Sequence, residues 1–76
     1  MYTFKQLRKH HKLSQQQMAK RLDLNSQAYV SNIESGQRNP SAQLAYKIMQ
    51  EFDVIAHVVM ETGEWRFTPS DKWVQP

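Results

Sequence analysis

The sequence predicts a mainly α-helical fold of four to five short helices that closes on a C-terminal β-strand or hairpin. Two observations lead to it. Over residues 3–52, small polar residues recur just ahead of short apolar stripes spaced by three and four, the period of a half-buried helix. After Phe52 that period gives way to a run rich in β-branched residues, a Thr-Gly turn signal and a second alternating run. Two segments follow: residues 1–53 as the helical unit and 54–76 as a strand or hairpin with a tail, for dimerisation or partner binding.

The first helix starts at Thr3, which with Gln6 forms a capping-box pattern, carries Phe4 and Leu7 inward, and ends near His11. Ser14 caps a second helix whose inward stripe is Met18, Ala19 and Leu22. Residues 23–26 break the period, and Asn25 or Ser26 caps a third helix over 27–35. Val30 and Ile33 turn inward there, while Gln27, Ala28, Ser31 and Asn32 point elsewhere and Tyr29 lies at the margin. Gly36 stops that helix. Ser41, just after Pro40, caps a fourth with Leu44, Ala45, Ile48, Met49 and Phe52 on its core face. Val54 to Met60, Thr62-Gly63 and Trp65 to Phe67 then read as a hairpin, and Thr68 to Asp71 as another helix start.

Size and charge narrow the function. A chain of 76 residues buries only roughly 60% of its unfolded surface. It has no cysteine for a disulfide or a thiolate metal site, so a second copy of itself is the expected source of added stability. A lone hairpin is unstable in water. Val54, Ile55, Val58 and Val59, with Trp65 and Trp73 as anchors, are accordingly the expected dimer or partner interface. No apolar run reaches a membrane span and residues 1–10 hold no signal-peptide core, so a cytoplasmic protein is expected. Charge is uneven. Residues 1–40 carry seven lysines and arginines against two acidic residues, and residues 41–76 carry three against five. The basic half is the half with the paired short helices, as contact with phosphate requires.

A helix held at a fixed angle by a partner helix fits a major groove about 12 Å wide. Gln27 and Asn32 offer amides that pair with the adenine edge, Ala28 and Tyr29 offer apolar contact, and Ser31 shares their face. Gln15 meets phosphate at the start of the second helix, with Lys12, Arg38 and Asn39 flanking it. Enzyme chemistry is not expected. His10 and His11 are adjacent, His57 stands on an apolar strand, and Asp53, Glu61 and Glu64 lack a general-base partner. No cofactor or metal is expected.

Leu13 to Ser41, with its L-S-Q-x-x-M-A-x-x-L opening, its V-S-N-I-E-S-G helix and the R-N-P-S that follows, resembles the Cro/C1-type, lambda-repressor-like helix-turn-helix family. With the flanking helices the resemblance covers residues 3–52. It implies a transcriptional repressor of double-stranded DNA, bound as a homodimer to a palindromic operator. It further implies a phosphate contact at Gln15, base and backbone contacts from Gln27, Ala28, Tyr29, Ser31 and Asn32, and a structural ion pair between Arg8 and Glu34. From Gln15 to Glu34 this chain has one residue more than the family usually shows, which leaves Ser26 open between cap and DNA contact. Gln27-Ala28 with Ser31-Asn32, the apolar segment Phe52 to Met60 and Trp73 resemble the HipB-type antitoxins. That second resemblance implies autoregulation of an operon and a kinase toxin as partner. The alternatives are a stand-alone prophage or restriction-system regulator without a toxin, and a protein-interaction module without specific DNA binding.

Overall fold

The computed structural model describes residues 1–70, in the order α1 (Phe4–His10), α2 (Gln15–Arg21), α3 (Gln27–Glu34), α4 (Ala42–Phe52), β1 (Val54–Val58) and β2 (Trp65–Pro69). Two full capping boxes start the first two helices. Thr3 accepts from the Gln6 N–H while Gln6 accepts from the Thr3 N–H, and Ser14 and Gln17 do the same. Ser41 caps α4 by accepting from the Leu44 N–H. Ser26 occupies the N-cap position of α3 in an extended conformation, but its side chain makes no cap hydrogen bond.

The first three helices end alike. At α3, Gly36 (φ 84°) is left-handed, its N–H reaches Ile33 O (3.2 Å) and the Gln37 N–H reaches Asn32 O (2.9 Å). At α1 the left-handed residue is Lys12 (φ 58°), with the Leu13 N–H on Arg8 O. At α2 it is Asp23 (φ 57°), with the Leu24 N–H on Ala19 O. The longer turn between α2 and α3 is thus absorbed by a helix stop at Asp23, and α3 begins at Gln27.

One core unites helices and hairpin. Phe4, Leu7, Met18, Leu22, Val30, Ile33, Leu44, Ile48 and Phe52 are buried together with Val54 of β1 and Phe67 of β2. Met49, expected on the core face of α4, is only half-buried. The strands pair antiparallel from Val54↔Pro69 to Val58↔Trp65. Thr68 and Pro69 therefore complete β2 and do not open a helix, because their backbone is engaged opposite Ile55 and Val54.

The two sheet edges differ. The outer edge of β2 is closed at its centre, where the Tyr2 N–H donates to Phe67 O (2.7 Å) and the Phe67 N–H donates to Tyr2 O (2.8 Å). At β1, hydrogen bonds between Asp53 and Ser70 and between Val59 and Glu64 set the alternation. The backbone groups of Val54, Ala56 and Val58 consequently face away from β2. Among the described residues no strand pairs with that edge, and no helix is long and apolar enough to cross a membrane.

Candidate nucleic-acid interface

The third helix is fastened from behind and polar in front. Val30 (0% exposed) and Ile33 (8%) sit in the core. Gln27 and Ala28 are exposed, and Tyr29, Ser31 and Asn32 are half-buried. Packing of α2 against α3 fixes the angle between them.

An ion pair ties this helix to α1. Arg8 Nε donates to Glu34 Oε2 (2.5 Å) and its Nη2 to Glu34 Oε1 (3.1 Å), while Nη1 donates to Leu13 O (2.8 Å). Both side chains are largely removed from solvent, at 12% and 5% exposed. Arg8 is thereby committed within the protein.

The same carboxylate organises the amides at the front. Gln15 Nε2 donates to Glu34 Oε1 (3.1 Å), and Gln15 Oε1 accepts from Gln27 Nε2 (3.1 Å). A carboxylate only accepts, so the Gln15 amide must point its N–H groups inward and its oxygen toward Gln27. That in turn directs the Gln27 N–H toward Gln15 and leaves Gln27 Oε1 for a donor outside the chain. Gln15, read from the sequence as a phosphate contact, is half-buried and belongs to this relay.

Cations flank α3. Lys12 is exposed just before α2 begins, and Arg38 and Asn39 are exposed on the loop that leaves α3. The Arg38 guanidinium lies 4.3 Å from the centre of the Tyr29 ring. Tyr29 itself packs against the core.

The residues expected at a dimer or partner interface divide. Ile55 (55% exposed) and Val58 (42%) are on the surface, and Val59 is half-buried. Val54 is 4% exposed and lies in the protomer's own core. Trp65 is half-buried against that core, and its indole N–H donates to Pro40 O (3.0 Å). Trp73 lies outside the described residues. Sequence reasoning missed Tyr46 (61% exposed) and Met60 (85%), which add to the surface apolar set. Met60 ended the apolar run and was legible; Tyr46 sits in the α4 pattern beside core positions and carried no such signal.

A helix-turn-helix family model matches residues 4–54. No curated protein and no solved structure matches the chain. The matched segment holds α1 to α4 with the exposed face of α3 and the relay beneath it. The chain is a DNA-binding transcription regulator and belongs to the Cro/C1-type helix-turn-helix family.

Proposed function

We propose that the protein is a sequence-specific repressor that binds a palindromic operator as a homodimer. The observation that carries this reading is the front of α3, where Gln27, Ala28, Ser31 and Asn32 reach the surface while Val30 and Ile33 anchor the helix. Two copies of α3 enter successive major grooves about 34 Å apart, and occupancy excludes polymerase. Gln27 and Asn32 read base edges; Lys12, Arg38 and Asn39 hold phosphate, and Ser26, exposed at the head of α3 with no cap hydrogen bond, is a further contact. It is a binding protein of the cytoplasm, with no part for catalysis.

Selection of bound sites from random DNA, followed by affinity measurement, tests this. Asn32→Ala or Gln27→Ala should cost about 1–3 kcal/mol and relax preference at one base pair per half-site, whereas Arg38→Gln should weaken all sequences alike. A selected pool indistinguishable from the starting DNA overturns the reading.

The dimer contact we assign to the open edge of β1, with Ile55 and Val58 beside it. Proline at position 56 removes an outward N–H without touching the hairpin's own ladder. Ala56→Pro should therefore yield a folded monomer by sedimentation.

A second reading, carried by the resemblance of Gln27-Ala28 with Ser31-Asn32, the Phe52 to Met60 segment and Trp73, is a HipB-like antitoxin that autoregulates its operon and holds a kinase toxin. Co-expression with a kinase encoded beside the gene, and loss of co-purification on Met60→Glu, tests it. A stand-alone regulator has no such partner.

A further inference from the structure

The loop from Gly36 to Pro40 carries two of the proposed phosphate ligands, Arg38 and Asn39, and is gripped from two sides. On the α3 side, Gln37 and Arg38 donate their N–H groups to Asn32 O (2.9 and 3.2 Å), and Tyr29 underlies the Arg38 guanidinium. On the other side is the hairpin. Pro40 is buried, and its carbonyl accepts the Trp65 indole N–H across 25 residues of sequence. At the hairpin turn, Gly63 lies beside the Asn39 side chain, near enough that a methyl group in place of its hydrogen would come to 3.3 Å from Asn39 Nδ2. β2 itself is fixed by the fully buried Phe67 and its backbone bridge to Tyr2.

We propose that Trp65 is a positioning residue for DNA binding: through its hydrogen bond to Pro40, the hairpin beyond the helical domain pre-sets Arg38 and Asn39 for phosphate. Trp65 touches no DNA in this arrangement. An exposed loop ending in a long arginine side chain loses conformational freedom when it meets a phosphate, and a loop already held in place loses less. The hairpin, whose other edge we assign to the dimer, thus also sets the strength of sequence-independent contact.

This inference rests on the DNA-binding reading above, and the experiment separates the two. Affinity for the selected operator and for random DNA is measured across a salt series for wild type, Trp65→Phe, Arg38→Gln/Asn39→Ala, and the combined variant. Phenylalanine removes the N–H donor and keeps an aromatic ring on the core, with the loss of part of the indole's packed area, for which a core variant controls. Trp65→Phe should weaken operator and random DNA alike, by about fivefold, the worth of one hydrogen bond of ordinary strength. Base preference should be unchanged, and in the Arg38→Gln/Asn39→Ala background the further loss should fall below about twofold, as residues acting through one another require. In the free protein, backbone amide relaxation of residues 37–39 should show greater fast motion in Trp65→Phe than in wild type. Ile48→Val, which weakens the core from α4 away from the DNA and dimer contacts, controls for loss of stability and should leave affinity nearly intact. Full additivity, an equal loss in Ile48→Val, or unchanged relaxation at 37–39 overturns the inference while leaving specific DNA binding standing. Absence of DNA affinity in the wild-type protein overturns both.

Discussion

Arg8 and Glu34 tie one pair of side chains both to the join between α1 and α3 and to the amides at the front of α3. A buried ion pair contributes little over a well-packed apolar pair, but removing one partner leaves a charge stranded. Arg8→Met should cost about 3–5 kcal/mol in chemical denaturation, much of the margin of a small domain. Because Gln15 hangs from the same carboxylate and Gln27 from Gln15, the variant should also blur base preference in site selection. Lys12 presents the opposite trade. A non-glycine residue in left-handed backbone carries a steric cost that glycine avoids. Lys12→Gly should stabilise the fold by about 0.5–1 kcal/mol, a rise of a few degrees in Tm, while lowering affinity for every DNA sequence. The charges of these residues were legible in the sequence; the left-handed backbone at Lys12 and Asp23 was not, because neither residue type advertises it as Gly36 does.

At the scale of elements, the helices were legible from local chemistry and the strands only in part. Thr3, Ser14 and Ser41 announce helix starts through bonds to residues three positions on, so a short window of sequence contains the whole interaction. The end of β2 is different. Thr68-Pro69 looks like a helix start locally, and only its pairing with Ile55 and Val54, far back in the chain, makes it strand. The front of α3 was read correctly as a surface, yet the engagement of Gln15 with Glu34 and Gln27 depends on three elements meeting and has no local signature. The junction of α1 with α4 carries a titratable group of the same kind. His11 packs against Phe52 with the rings tilted and their centres 4.7 Å apart. Burial first, then the neighbouring His10 and Arg21, lowers its pKa below the ordinary histidine value. The folded state then binds fewer protons at this site than the unfolded chain, so stability is full above the unfolded pKa and is lost as pH falls through and below it. Tm should decline between about pH 7.5 and 5.5, and His11→Asn should flatten that decline.

For the molecule as a whole, the family match ends at residue 54 but the core does not. Val54 and Phe67 are both buried against the helices, and each such side chain contributes roughly 1.5–3 kcal/mol. Against a total of about 5–15 kcal/mol, a chain cut after Phe52 should show no cooperative thermal transition, where the full chain shows one. The basic charge of residues 1–40 gathers on the part that carries α2 and α3, so salt should weaken DNA affinity steeply, with a slope that drops by about one for each phosphate-holding cation replaced.

The bridge from Tyr2 to Phe67 joins nearly opposite ends of the described chain. Closing so long a loop is costly in chain entropy, so the bridge forms after the capped helices, and a proteolytic cut anywhere between the two residues releases both segments it ties together.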